Sequence, residues 1–274
     1  MAGQVFTIDS RAGLSWQVLR DLWDYRELAV SLTIRETRAR YRQSLLGIGW
    51  AIAQPLAMMV VFNLVFSRFA KIPSDGIPYP IFAYAALVPW TFLSNALTSA
   101  TIGLVSNRTI VTKTYFPREI ITLSQVGARF VDFLAGALVY VGMMAWYGIA
   151  PTGWILLLPF LLLVQVMLTV GLALVTSALH VRFRDLAPIV TLGLQVWLYL
   201  TPVTYPLSVV PEQWRMLYLL NPMAGLILGY RAIIALGQPP DVAALALSTA
   251  VSMVVLLAAY PWFKRAERSF ADVI

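Results

Sequence analysis

Long, nearly uncharged apolar runs dominate this chain, and their lengths come close to the roughly 20 residues an α-helix needs to cross the hydrocarbon core of a bilayer. With Pro, Gly and charged residues setting the ends, six spans are predicted: Leu45 to Phe66, Pro80 to Ile102, Val126 to Gly148, Gly153 to Leu179, Ala187 to Tyr205 and Val242 to Phe263. The third and fourth form a hairpin around the uncharged turn "GIAPTG". The expected fold is an all-α integral membrane protein with six transmembrane helices. Its parts are an N-terminal region over 1–44, a transmembrane domain over 45–263 and a short tail over 264–274.

Two stretches break the simple pattern. The segment "RMLYLLNPMAGLILGYRAIIALGQPP" is apolar, yet Asn221-Pro222 interrupts it early and Arg231 interrupts the remainder. It predicts either re-entrant helices within an outer segment 206–240 or a surface loop with an interfacial helix. Backbone broken at membrane depth must be sheltered by protein or line a wet cavity, because lipid offers no hydrogen-bond partners. Upstream of the first span, Trp16, Leu19, Trp23, Val30 and Ile34 share one helical stripe, with Asp21, Asp24 and Arg35 opposite. That stripe suits an amphipathic helix in the membrane surface or one packed on a partner, since Arg26 and Glu27 intrude on it.

Composition agrees with the pattern: 59% of residues are hydrophobic and only 12% charged, with a mean hydropathy of +0.76, far from the ~25% charged residues of soluble domains. Forty-odd residues precede the first run, which is also too long for the ~7–15-residue core of an export signal. Orientation is carried by the location of Lys and Arg. With six spans, 15 basic residues fall on the side of both termini and four on the other, with Arg129 near a boundary. Both termini are therefore expected in the cytoplasm. Cysteine is absent, so disulfides and Cys-ligated metals are excluded.

Catalytic chemistry is sparse. None of the 16 glycines precedes a lysine, so there is no phosphate-cradling loop of the Walker A kind, and no Gly-x-Ser-x-Gly elbow occurs. The outer acids Asp75, Glu212 and Asp241 are scattered, and the single histidine, His180, reads as a solvated interface residue. A transport subunit is expected rather than an enzyme. Arg129 and Asp132 stand at i, i+3 and can pair on one face of the third span, as a structural ion pair or part of a relay. Ser94, Asn95, Thr98, Ser99 and Thr101 on the second span, with Thr191 and Gln195 on the fifth, suit a weakly polar path or helix-to-helix hydrogen bonds. Tyr84, Trp90, Trp197, Tyr199 and Tyr205 gather on the outer halves of spans two and five. They suit an aromatic-lined exit or the interfacial belt of any membrane protein.

The stretch "RETRARYRQSLLGIGWAIAQPL", with Arg40, Tyr41, Arg42, Leu46, Gly47, Trp50 and Pro55, resembles the signature of the membrane subunits of type-2 ABC exporters for lipid-linked polysaccharides, notably O-antigen exporter permeases. "NRTIVTKTYFPREI" and the Thr201 to Arg231 stretch resemble that family's coupling and outer-gate segments, and "FKRAERSFADVI" its ending; Thr122 stands where many relatives carry proline. The resemblance implies a homodimer of six-span subunits in the bacterial inner membrane, bound to two copies of an ABC ATPase that carries ATP and Mg. This chain itself would hold no cofactor. The substrate would be a polyprenyl-pyrophosphate-linked glycan, most often O-antigen; teichoic acid, capsule, a drug or a lipid on the same scaffold are alternatives, as is a membrane polymerase or acyltransferase. Membrane lipids are further partners and nucleic acid is not. In this reading Asn107, Arg108, Lys113, Phe116, Pro117, Arg118 and Glu119, within a segment 103–125, couple to the ATPase, while Asn221 and Pro222 join the aromatics in the gate. Arg35, Arg38, Arg40 and Arg42 form a basic rim, placed there by the positive-inside rule or to meet the carrier's pyrophosphate.

Overall fold

The computed structural model describes residues 20, 22–42, 44–113 and 116–270, and these are helical, without strands. Helix α1 (Arg26–Tyr41) is followed by α2 (Gly49–Phe62), which runs on as π-helix through Asn63–Phe69. Next come α3 (Tyr79–Ser106), the short α4 (Arg108–Lys113), α5 (Glu119–Tyr147), and α6 (Leu158–Arg182), entered through a 3-10 turn at Gly153–Leu157. The rest is α7 (Leu186–Tyr199), α8 (Glu212–Leu219), α9 (Pro222–Tyr230) continued by a π turn at Arg231–Ala235, and α10 (Val242–Glu267). Five helices, α2, α3, α5, α6 and α10 with their continuations, are long and apolar enough to cross a membrane.

Local chemistry sets the ends. Pro80 opens α3 in its first turn, where the missing N–H costs nothing. Gly148, at φ +69°, closes α5 in the left-handed region, which glycine enters without strain. The Asp241 carboxylate accepts from the backbone N–H groups of Ala243 and Ala244 and caps α10.

Helix α3 is the axis of the fold. It packs against α2, α5, α6, α7 and α9, while α10 closes on α6 and α9. Of its most apolar window, 78% is buried, against 11% for α2. The buried Gln165 of α6 donates to the Pro89 carbonyl of α3 and accepts from the Tyr230 hydroxyl of α9, both at 2.7 Å. One carboxamide thus joins three helices.

The fifth predicted span is corrected. Its helix stops at Tyr199, giving 14 residues, or about 21 Å of helix, short of the ~30 Å core. Pro202 disfavours helix at Thr201, and the carbonyls of Pro202, Val203 and Tyr205 turn instead to Arg231. Between α8 and α9 the chain bends by 98° at Leu220–Asn221, so the broken outer segment is two helices at nearly a right angle. The Asn221 side chain caps the second by accepting from the Met223 N–H.

Helix α9 lies so close to α10 that a Cβ on Gly225 would stand 2.2 Å from Ser248 Oγ and 2.5 Å from the Ala244 carbonyl oxygen. The second contact is with backbone, which cannot rotate away. Gly225→Ala is therefore expected to pry α9 from α10 and cut the yield of monodisperse membrane protein severalfold, as read by size-exclusion of detergent extracts. Gly193→Ala, where a Cβ meets nothing within 4 Å, should leave that yield unchanged.

Candidate functional site

At the end of the bundle formed by α1, the start of α2 and the first half of α5, a cavity of about 170 Å³ opens beside α3. It is lined by the Arg40, Tyr41, Gln54, Asn95, Arg129 and Asp132 side chains, among others. The i, i+3 pair read from the sequence is present, with Arg129 and Asp132 at 3.4 Å, but it belongs to a larger cluster. Asp132 also accepts a short charge-assisted bond from Arg40 and one of 2.5 Å from the Tyr41 hydroxyl. Burial first, then the bond to Asp132 and its charge, push the Tyr41 hydroxyl up to about 12, so near neutral pH it stays protonated and donates. Arg129 is held in place by its Nε–H, which donates to Ser99 Oγ at 2.9 Å.

Helix α1 is thus bonded to the bundle along one face. Leu32 is buried, Thr33 packs over Gly127, and Arg35 bonds Asn107. Its other face is open: Val30 and Ile34 are exposed, as is Trp23 just ahead of it, and a groove runs past Arg26, Arg38 and Arg42. Trp16, Leu19 and Asp21 lie outside the described residues. The four rim arginines therefore divide. Arg35 and Arg40 are engaged with the bundle, whereas Arg38 and Arg42 are exposed.

The coupling residues divide as well. Arg108 and Lys113 on α4 are exposed. Asn107 joins α1 to the end of α3, accepting from Arg35 and donating to the Gly103 carbonyl. Phe116 is buried at 5% exposure. The Arg118 backbone N–H and guanidinium both bond Glu267, and Pro117 is half-buried between them. Glu119, 2% exposed, accepts from Lys264 at 2.7 Å and from the Tyr260 hydroxyl at 2.9 Å. The Phe-Pro-Arg-Glu element is thus a latch onto α10 rather than a free docking surface. The reason is that a carboxylate at the start of α5 requires a cation, and α10 ends with one beside it.

At the opposite end the aromatics are mostly internal. Tyr84 has 0% exposure, stacks on Tyr140 at 6.0 Å and donates to the Gly136 carbonyl. It lines no exit, because α3 is enclosed on the side it faces. Trp90 is buried and meets Trp197 edge to face at 5.7 Å. The Trp197 indole N–H donates to Asn221, whose amide donates to the Leu200 carbonyl and Thr201. The Tyr205 hydroxyl bonds the Tyr199 carbonyl and the Tyr218 hydroxyl, while Tyr199 itself is 57% exposed. Pro222 opens α9. His180, expected in solvent, is 6% exposed, because α6 stays enclosed to its last turn, where Val181 is buried too.

Arg231 is the residue the sequence undervalued. It is buried at 3% exposure, lies over the Phe82 ring at 3.5 Å, and donates to the carbonyls of Phe82, Pro202, Val203 and Tyr205. Among the described residues no carboxylate pairs with it in the ion pairs of the structure. A lone arginine in an apolar stretch was the available signal.

Polar groups also face outward on the apolar helices. Thr98 of α3 and Gln54 of α2 are exposed, and so are Thr191 and Gln195 on the short α7. The two threonine hydroxyls donate within their own helices, to the Ser94 and Ala187 carbonyls at 2.8 and 3.0 Å, whereas the Gln54 and Gln195 carboxamides are the groups that hydrocarbon would make expensive.

Comparison with known proteins places this geometry in context. Residues 27–235 match the family model described as ABC-2 type transporter. The chain is similar to the O-antigen export system permease protein RfbA of Myxococcus xanthus, 35% identical over 94% of this chain and 99% of that protein. It also resembles the protein of the same name from Klebsiella pneumoniae, 31% identical over 75% and 79% respectively. The polysialic acid transport protein KpsM of Escherichia coli is 22% identical over 84% and 91%.

Proposed function

This chain belongs to the ABC-2 type transporter family, and from that premise we propose that it is the permease subunit of an ATP-driven exporter of lipid-linked polysaccharide, O-antigen first among the candidates. It is a multi-span membrane protein, and the family implies an ABC ATPase on a separate chain, where ATP and Mg would be bound. The observation that carries the reading is the set of polar groups displayed outward on α2, α3 and the short α7, Gln54, Thr98, Thr191 and Gln195, together with 35% identity along nearly the whole of an O-antigen export permease. Two copies placing those faces together would enclose a path whose walls offer hydroxyls and carboxamides to a hydrated glycan. The exposed Tyr199 could present a ring face to sugar near its outer end.

The end bearing α1, α4 and the close of α10 is the cytoplasmic one in this reading, in the bacterial inner membrane, as the distribution of Lys and Arg favours. The exposed Trp23, Val30 and Ile34, flanked by Arg26, Arg38 and Arg42, suit a helix resting at the lipid headgroups. Arg108 and Lys113 are exposed cations available to an ATPase surface.

The test is deletion of this permease in its native host with complementation. Surface glycan should disappear on deletion and return with the wild-type chain, and an ABC ATPase should copurify with the tagged protein. Unchanged surface glycan in the deletion strain would reject the proposal.

A further inference from the structure

Past the end of α10 the chain folds back into the core. Phe270 is 2% exposed, meets the Phe263 ring edge to face at 5.6 Å and has the Arg118 guanidinium 6.0 Å from its centre. Both rings belong to a second cluster of buried apolar side chains, which also takes in Val111 of α4, Phe116 and Ile120. Arg118 commits its backbone N–H and its guanidinium to Glu267, whose carboxylate also accepts from Lys264 at 3.0 Å. The segment that carries Arg108 and Lys113 is therefore clamped to the end of α10. Farther along, α10 is gripped just as closely. A Cβ on Gly171 of α6 would stand 3.0 Å from the Leu256 backbone, and one on Gly225 of α9 would stand 2.5 Å from the Ala244 carbonyl oxygen, so neither contact leaves slack between backbones. Helix α9 then runs into Arg231, which holds the Pro202, Val203 and Tyr205 carbonyls. Close contacts thus lead without a break from α4, along α10, to the 201–205 turn. The alternative route follows α3, whose apolar window is 78% buried against 28% for α10. Shifting α3 would disturb packing with α2, α5, α6, α7 and α9, whereas α10 lies nearer the rim and can tilt together with the helices it grips.

We propose that α10 is the rod that carries an ATPase's stroke from α4 to the 201–205 turn at the outer end, and that Glu267 and Phe270 are the positioning residues that clamp the coupling segment to it. The inference rests on the exporter reading only in taking an ATPase to dock on α4. A rigid helix with packed contacts at both ends transmits displacement because such contacts are kept or broken rather than stretched. Without the clamp, α4 would move alone. The ATPase would still dock through Arg108 and Lys113 and still hydrolyse ATP, but the outer turn would not follow.

The experiment follows a single cysteine, Ser208→Cys, placed in this cysteine-free chain and studied in the purified complex with its ATPase in nanodiscs. Ser208 is exposed just beyond the outer turn, and its rate of labelling by a charged thiol reagent, read on this chain with and without ATP and Mg, reports the outer segment. In the otherwise wild-type chain ATP should change that rate severalfold. With Phe270→Ala or Glu267→Ala added, the change should vanish while the ATPase still copurifies and hydrolyses ATP near the wild-type rate. Phe270→Leu keeps an apolar filler and Glu267→Gln keeps an acceptor for the Arg118 N–H, so both should retain the response. An ATP response that persists in either alanine variant, or that is absent from the otherwise wild-type chain, overturns the rod. Loss of ATP hydrolysis in step with the response also overturns it, because the clamp would then serve docking. If Phe270→Ala does not accumulate, Glu267→Ala against Glu267→Gln decides. Surface glycan in the deletion strain separates the two readings: a Ser208→Cys chain that restores glycan without an ATP response rejects the rod and not the exporter.

Discussion

Replacing Arg231 by methionine is expected to abolish export by removing the outer end of the fold, not by altering a substrate contact. The guanidinium serves four carbonyls drawn from α3, from the 201–205 turn and from the same turn's end. Methionine fills the stem's volume but donates nothing. A buried acceptor left without its donor costs about 1–3 kcal/mol, and several at once would consume much of the ~5–15 kcal/mol that holds an ordinary domain together. Lysine should not rescue, since its ammonium is a compact point with three donors rather than a fork and cannot serve four carbonyls. The measurement is folded protein in the membrane, by size-exclusion of detergent extracts, with surface glycan in parallel. Full accumulation of Arg231→Met would show that the carbonyls find other donors and that the arginine is dispensable.

The second large effect is expected at the latch between α5 and α10. Glu119 is 2% exposed, and Lys264 is 26% exposed at its side chain. Removing one partner of a buried pair leaves the other uncompensated and typically costs about 3–5 kcal/mol, with the lower figure apt here because Lys264 keeps some solvent. Lys264→Met should therefore lower the temperature at which the solubilised protein aggregates by several degrees, and the added change Glu119→Gln should recover most of that loss. Tyr260 can still donate to the glutamine. Reversing Arg108 and Lys113 together should leave the aggregation temperature unchanged while weakening recovery of the ATPase, because those side chains hold nothing in this chain's core. If Lys264→Met is as stable as wild type, the latch contributes nothing and α10 is held by apolar packing alone.

Much of this architecture was legible in the sequence because hydrocarbon imposes length and uniformity on anything that crosses it. The runs that became α2, α3, α5, α6 and α10 announced themselves by absence of charge, and Asn221-Pro222 announced the break that became a 98° bend. The end of the fifth run was only partly announced. Pro202 was a local sign of the break, but what receives the freed carbonyls is Arg231, some 30 positions later. The cavity was half legible. Arg129 and Asp132 are one helical turn apart, so their pairing could be read, whereas Arg40 and Tyr41 reach Asp132 across 92 and 91 positions. Nothing local distinguishes an arginine that packs inward, such as Arg40, from its neighbour Arg42, which does not. The same limit explains Glu119, whose partner lies 145 positions away, and Tyr84, whose ring reads equally well as surface belt or as core.

The position of α3 at the centre has a consequence for how the chain is made. It is the least apolar of the five long helices, with mean hydropathy 1.3 in its best window against 2.6 for the segment ending in α6, and it is the second to emerge from the ribosome. When it enters the bilayer, only the loosely packed α2 is there to meet it, while α5 and α6, which enclose it in the finished protein, are not yet synthesised. During that interval Asn95, Thr101 and the helix interior around Pro89 face lipid or the insertion machinery. Biogenesis is then a matter of retention, with the axis of the bundle placed early and secured late. A ribosome that stalls between α3 and α5 would leave a fragment whose most exposed surface is the one the mature protein hides.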